Sequence, residues 1–154
     1  MHSAKKLAAS LAISVAGLAA VTQHEGVRFT AYMDVVGIPT ICVGSTTDVK
    51  MGMRASKAEC ERRLRTDMNY AEHFVKKCTN VPMTQNQYDA VASLVFNIGG
   101  PAYCKSTLAK KLNALDYNGA AREFPRWSYA SGQYIGGLYK RRLAEQALFL
   151  KETQ

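Results

Sequence analysis

The chain has 154 residues, of which 47% are hydrophobic and 21% are charged, and this composition excludes a disordered or fibrous protein and predicts one globular domain. The formal net charge of +8 favours an anionic partner such as nucleic acid, anionic lipid or a cell-wall polymer. The basic residues are dispersed and form no nucleic-acid-binding motif, so we expect no nucleic acid as ligand. The three histidines lack metal-ligand spacing, and we expect no metal or cofactor.

The N-terminal segment, residues 1–22, is apolar after a basic start. Lys5 and Lys6 precede an uncharged stretch from Leu7 to His24 that is rich in Ala, Leu, Ile, Val and Gly. Three interpretations are open: a cleaved signal peptide, a membrane anchor that later leaves the bilayer, and an ordinary first helix packed on the core. We favour the retained anchor, because cleavage near Ala20 would remove the helix that leads into the residues that follow. The remaining residues, 23–154, form the predicted main domain.

The rest of the chain reads as a small sheet followed by helices. Residues 28–50 mix β-formers with Gly and Pro, which predicts short strands and turns. Four helices are predicted: from a capping box at Ser56–Glu59 to about Lys77, from a second capping box at Thr84–Gln87 to the Gly99–Pro101 stop, over about 106–114, and over about 138–151. The second is apolar enough to be a central helix, and in the last, Leu143, Ala147 and Leu150 form the predicted buried stripe. The pattern predicts an α+β, mostly helical fold.

Two carboxylates and a threonine are the candidate catalytic residues. Glu25 follows the apolar run at a predicted helix end, where the helix dipole and an apolar wall would help it to keep a proton for donation. Asp34 lies in a polar turn, where it is expected to stay ionised, and Thr40 follows in a predicted strand. Glycoside hydrolysis uses two carboxylates in unlike environments. A solvated Glu25, a turn-capping Asp34 and a purely structural Thr40 are the alternatives.

The order and spacing of these residues resemble the signature of the phage-type lysozymes, glycoside hydrolase family 24. The matching motifs are His24-Glu25-Gly26, Ala31–Gly37 and Pro39–Gly44, and further matches run in order to about residue 150, including Pro82–Ala90, Phe96–Gly99, Arg126-Trp127 and Gly137–Arg142. One departure is Gly44-Ser45-Thr46, where many members have His or Glu in the middle. The N-terminal segment resembles the signal-anchor-release segments of some endolysins in this family.

The resemblance implies a lysozyme-like fold of two lobes, with a small sheet in one lobe and a central apolar helix in the other. It implies hydrolysis of the β-1,4 bond between N-acetylmuramic acid and N-acetylglucosamine in peptidoglycan, with Glu25 as general acid and Asp34 and Thr40 positioning water or stabilising the transition state. The protein would be a monomer that is exported, tethered transiently to the inner membrane and then active in the periplasm.

The resemblance also bears on the pairing of the cysteines and on the alternative functions. The four cysteines allow either free thiols or two disulfides, and family relatives favour pairing Cys42 with Cys60, which leaves Cys78 for Cys104. A lytic transglycosylase, a wall-binding module without activity and a cationic membrane-disrupting protein remain as alternative functions. The last would act through the helix that contains Lys140, Arg141 and Arg142, although these arginines could equally lie on a solvated helix turn or near Glu25.

Overall fold

The computed structural model describes residues 4–152. Helices dominate this part of the chain, and its strands pair into three short antiparallel sheets, β1 with β4, β2 with β3 and β5 with β6. The elements in chain order are β1 (Lys6–Leu7), α1 (Val15–Glu25), β2 (Arg28–Met33), β3 (Pro39–Cys42), α2 (Lys57–Cys78), β4 (Pro82–Met83), α3 (Gln85–Ile98), α4 (Gly100–Lys105), α5 (Thr107–Asn113), α6 (Tyr117–Glu123), β5 (Tyr129–Ala130), β6 (Gln133–Tyr134) and α7 (Gly136–Leu150). The predicted α+β class is confirmed.

The chain divides into two compact units, as the predicted two-lobe fold requires. The smaller unit, Leu18–Asn69, contains the β2–β3 hairpin, whose strands pair Tyr32 with Thr40 and Met33 with Pro39. Its core is a cluster of buried residues that Val49, Met53 and Ala55 cover, namely Ala31, Ile41, Cys42 and Cys60. The hairpin is therefore anchored on its own small apolar core.

The larger unit joins the residues up to Gly17 to the chain from Tyr70 onward, and α3 is its central helix. The capping box predicted for α3 is present: the Gln87 amide donates to Thr84 Oγ1 at 3.1 Å, and the Thr84 amide donates to Gln87 Oε1 at 2.9 Å. Every residue from Gln87 to Val95 is buried. Both the start and the central position of this helix are confirmed.

The sequence analysis missed two short helices of the larger unit, α4 and α6. Gly99 ends α3 as predicted, but α4 begins at the next residue, with Pro101 in its first turn, where proline is tolerated. The cap of α6 is Asp116, whose Oδ1 accepts the Gly119 amide at 2.8 Å. Asp is a preferred N-cap residue, so Asp116 could have predicted the start of this helix from the sequence.

The predicted buried stripe of α7 is wrong. Leu143, Ala147 and Leu150 are exposed, and the residues of α7 that are buried are Arg141, Arg142, Glu145 and Phe149. The helix can bury this charged face because both arginines form ion pairs with the glutamate there. The burial also counts against a membrane-disrupting cationic helix, because two of its three cations are withdrawn from solvent.

Two disulfides are present, and both predicted pairings are confirmed. Cys42 bonds to Cys60 with 5.0 Å between Cα atoms, and Cys78 bonds to Cys104 with 5.4 Å between Cα atoms. The first bridge lies in the core of the smaller unit, and the second joins the end of α2 to α4. Free cysteines are therefore excluded for this fold.

The apolar N-terminal segment is not one continuous helix. After β1 and a 3₁₀ turn over Ala8–Ser10, residues 11–14 form no helix or strand, and α1 begins at Val15. Ser14 Oγ caps this helix by accepting a hydrogen bond from the Gly17 amide at 3.1 Å. Within residues 4–152, no helix is both long enough and apolar enough to cross a membrane.

Candidate active site

Glu25 is the last residue of α1, as predicted, and Gly26 ends the helix. The Gly26 amide donates to the Thr22 carbonyl at 2.8 Å, and its φ of 79° turns the chain towards β2. A side chain would strain this left-handed backbone, which explains glycine at the position. Glu25 is exposed rather than set against the expected apolar wall.

Asp34 directly follows β2 and organises the loop that leads to β3. Its Oδ1 accepts two backbone hydrogen bonds, from the Val36 amide at 2.9 Å and from the Ile38 amide at 2.8 Å. The Asp34 amide donates in turn to the Ile38 carbonyl at 3.0 Å. The turn-capping role is therefore real, but it uses only one carboxylate oxygen, and Oδ2 has no hydrogen-bond partner among the described residues.

Thr40 lies in β3, and its side chain belongs to the same loop network. The residue is only 3% exposed, and its hydroxyl donates to the Ile38 carbonyl at 2.9 Å. The Ile38 amide thus donates a hydrogen bond to Asp34, and the Ile38 carbonyl accepts one from the Thr40 hydroxyl. One residue therefore connects the two candidates. With its proton directed at Ile38, the Thr40 hydroxyl oxygen retains lone pairs that can accept a hydrogen bond from water.

The structure places all three candidates in the smaller unit. Glu25 precedes β2, and Asp34 and Thr40 lie on either side of the loop that connects β2 to β3. The departure at Ser45 also has a structural role, because Ser45 is buried and its hydroxyl accepts a hydrogen bond from Arg63 Nη1 at 3.1 Å. Arg63 donates further to the Thr47 carbonyl at 2.8 Å, which fixes the chain after β3 to α2.

The larger unit contains a buried polar cluster centred on Glu145, which the sequence analysis did not identify. Arg142 Nε lies 2.8 Å from Glu145 Oε1, and the Ser93 hydroxyl donates to Glu145 Oε2 at 2.5 Å. Arg142 also donates to Asn97 Oδ1 at 2.9 Å, and Arg141 Nε lies 3.4 Å from Glu145 Oε2. The interpretation of Arg141 and Arg142 as a solvated turn is wrong. Their spacing from Glu145, four and three positions, was the available signal.

Burial raises the pKa of Glu145, although Arg142, Ser93 and Arg141 act in the opposite direction. The loss of solvation therefore outweighs the attraction of two guanidinium groups. This cluster is an internal polar network of the kind that fixes helix packing, since it joins α3 to α7.

Comparison with known proteins agrees with this arrangement. Residues 22–145 match the phage lysozyme family. An endolysin of Acyrthosiphon pisum secondary endosymbiont phage 1 is 44% identical over 89% of this chain and 97% of its own length. A SAR-endolysin of Escherichia phage Mu is 38% identical over 94% of this chain and 91% of its own length.

Solved structures are similar to this chain in fold as well as in sequence. A variant of P22 lysozyme superposes with a TM-score of 0.87 at 39% identity and covers 92% of this chain and 99% of its own. The muramidase domain of SpmX from Asticaccaulis excentricus superposes with a TM-score of 0.84 at 31% identity, over 91% of this chain and 98% of its own. The chain therefore belongs to the phage lysozyme family and is a glycosidase of the muramidase class.

Proposed function

We propose that the enzyme hydrolyses the β-1,4 bond between N-acetylmuramic acid and N-acetylglucosamine, with Glu25 as general acid. The observation that carries this proposal is the loop network in which Ile38 connects Asp34 to Thr40. It leaves Asp34 Oδ2 and the lone pairs of the Thr40 hydroxyl without a hydrogen-bond partner among the described residues, in the same unit as the Glu25 carboxyl group. In this proposal, both atoms accept hydrogen bonds from one water molecule. Neither a metal nor a cofactor is required for this chemistry.

In this mechanism, Glu25 donates its proton to the glycosidic oxygen as the bond to the sugar breaks. Asp34 Oδ2 accepts a proton from the water that attacks the anomeric carbon, and the Thr40 hydroxyl accepts the second hydrogen bond from that water. The negative charge of Asp34 also stabilises the positive charge that develops on the sugar ring. Because Oδ1 is tied to two amides, the carboxylate keeps its orientation throughout the reaction.

The products of peptidoglycan digestion test hydrolysis against the transglycosylase alternative. We expect mass spectrometry of digested sacculi to show muropeptides that end in reducing N-acetylmuramic acid, because water is the attacking group. Digestion in ¹⁸O-labelled water should place the label at that reducing end. Anhydromuramyl ends without the label would contradict the proposal and would assign transglycosylase chemistry.

We further propose that the N-terminal segment first tethers the exported enzyme to the inner membrane and later folds, with residues 4–17 in the larger unit. Relatives named SAR-endolysins support this proposal. In the folded state, two buried carboxylates bind the backbone of the segment. The Ile13 amide donates a hydrogen bond to Glu72 Oε1 at 2.7 Å, and the Ser14 amide donates one to Asp89 Oδ1 at 3.0 Å. The released enzyme would then act on the wall as a monomer in the periplasm.

Raising the hydrophobicity of the segment should keep the enzyme in the membrane. Ala9, Ala12, Ala16 and Ala19 are all exposed in the folded state, so Leu at these positions leaves the core unchanged. Each Leu favours insertion by a few tenths of a kcal/mol, and we expect the fourfold variant to remain in the membrane fraction and to lyse cells later.

The matched control replaces the same four alanines by serine, which lowers the hydrophobicity of the segment without adding bulk. Fractionation of induced cells and the onset of lysis measure the effect. Equal distribution of the Leu and Ser variants between membrane and soluble fractions would refute the tether.

A further inference from the structure

The last hairpin of the larger unit and the first turn of α7 display three tyrosine rings to solvent. Tyr129 is 62% exposed, Tyr134 is 57% exposed and Tyr139, on the first turn of α7, is 37% exposed. The ring centroids of Tyr129 and Tyr134 are 5.9 Å apart, and those of Tyr134 and Tyr139 are 6.0 Å apart. We call these three residues the tyrosine ladder. Proteins seldom expose a continuous aromatic surface unless it binds something.

The ladder is held in a defined geometry. Tyr129 and Tyr134 are directly paired across the β5–β6 hairpin, which turns through Ser131 and Gly132 with φ of 51° and 76°. Two consecutive positive φ values are typical of a tight two-residue turn whose twist matches its strands. The base of the hairpin is fixed by the Ile135 amide, which donates to the Ser128 carbonyl at 2.8 Å. Binding would therefore require little ordering of the hairpin.

The chemistry of the ladder is amphipathic. The rings contact each other at steep angles, 71° and 52°, and none of the three hydroxyl groups has a hydrogen-bond partner in the described part of the chain. Gln133 and Ser131 add exposed polar groups to the same hairpin. A surface with apolar ring faces and a hydrogen-bonding rim matches a sugar, which has apolar C–H faces and a rim of hydroxyl and amide groups.

The charge beside the ladder favours an anionic carbohydrate. Lys140 follows Tyr139, is exposed, and has no acidic partner within residues 4–152. Peptidoglycan has carboxylates on the peptides that its muramyl residues carry, so Lys140 complements them. The hairpin lacks the Leu, Phe and Trp side chains by which a surface usually enters a bilayer.

We propose that the tyrosine ladder is a carbohydrate-binding subsite that holds the peptidoglycan glycan strand, an inference that rests on the proposed muramidase function. The ladder contributes to substrate binding and not to bond cleavage. Loss of its rings therefore weakens the enzyme–substrate complex and leaves the chemical step unchanged.

The test is the double variant Tyr129→Ala/Tyr134→Ala, assayed on purified Gram-negative sacculi. We expect KM to rise about tenfold while kcat stays within about twofold, because buried aromatic side chains dominate the energetics of binding surfaces. The variant Tyr129→Phe/Tyr134→Phe keeps the rings and should retain most of the binding. Both variants should unfold at the wild-type temperature, since the replaced side chains are exposed.

Tyr70→Ala is the matched control, because Tyr70 is 65% exposed and makes a comparable ring contact with Phe74 at 5.1 Å. An unchanged KM in the double variant, an equal rise in KM in Tyr70→Ala, or a loss confined to kcat would overturn the subsite. Co-sedimentation with sacculi measures binding in the absence of turnover. It therefore shows whether the subsite proposal is wrong even if the muramidase assignment is also wrong.

Two further measurements identify a different occupant. Vesicles of phosphatidylethanolamine and phosphatidylglycerol that bind the wild type but not the double variant would assign the ladder to the membrane. A dimer in sedimentation-velocity experiments that the double variant lacks would assign it to a second copy of this chain. Either result, with unchanged binding to sacculi, contradicts the carbohydrate subsite.

Discussion

Replacement of Glu25 by Gln is expected to reduce the clearing of chloroform-permeabilised Gram-negative cells at least about 10³-fold. Gln has the same size as Glu but has no acidic proton to transfer to the leaving oxygen, and a positioned general acid contributes about 10²–10⁴-fold. Glu25 is exposed at the end of α1, so the folded structure should tolerate the amide. Turbidity measures the rate, and circular dichroism measures whether the variant is folded.

Glu61→Gln is the matched control for this experiment. Glu61 is another exposed glutamate of the smaller unit, on α2, and its neutralisation changes the net charge by the same amount. We expect it to clear cells at the wild-type rate. Equal clearing by the Glu25 variant would mean that lysis is not glycosidic, and equal loss in the Glu61 variant would attribute the effect to net charge.

Truncation of Glu145 to Ala should strongly destabilise the larger unit. It removes the partner of two buried arginines and of the Ser93 hydroxyl at once. Breaking a buried ion pair from one side costs about 3–5 kcal/mol, because the remaining charge is left without compensation. Urea unfolding followed by circular dichroism should show this loss in the free energy of unfolding.

Glu145→Gln separates the contacts of Glu145 from its charge. Gln keeps the volume and an acceptor oxygen, and the raised pKa of Glu145 indicates that its ionised form is held at a net cost in the folded state. We therefore expect Gln to cost only about 1 kcal/mol. An equal loss for Ala and Gln would mean that the charge, rather than the packing and hydrogen bonds, dominates.

The pH dependence of these variants has a defined sign. The folded state holds the Glu145 proton more tightly than the unfolded state, whose pKa is near the ordinary 4.5. The contribution of Glu145 to the free energy of unfolding is therefore largest below that pH and falls as the pH rises towards the folded pKa. The advantage of wild type over Glu145→Gln should shrink over the same interval and then level off.

The features that the sequence predicted well were local ones. The start of α3 follows from Thr84 and Gln87 alone, and the end of α1 follows from Gly26, because a cap is a contact between near neighbours in the chain. The candidate residues and the disulfide partners followed from the resemblance to a family. No local pattern states that Ile38 connects Asp34 to Thr40, since that geometry exists only once the loop has closed.

The failures arose where tertiary contacts reverse an ordinary preference. Charged residues are seldom buried, so the stripe of Leu143, Ala147 and Leu150 was the natural choice for the inner face of α7. The actual inner face depends on Ser93 and Asn97, which lie about fifty positions away in the chain. The ladder was missed for a related reason: two-residue strands carry no periodic signal, and the pairing of Tyr129 with Tyr134 depends on the turn between them.

The two disulfides also define what remains covalently unconstrained. Both bridges close loops within residues 42–104, with sequence separations of 18 and 26, so neither encloses the chain before Cys42. On the membrane-tether proposal, oxidation in the periplasm can be completed while the first residues are still in the bilayer. The later docking of Ile13 and Ser14 onto Glu72 and Asp89 is then a non-covalent step that thiol chemistry neither delays nor makes irreversible. The rate of disulfide formation and the rate of activation would therefore be independent of each other.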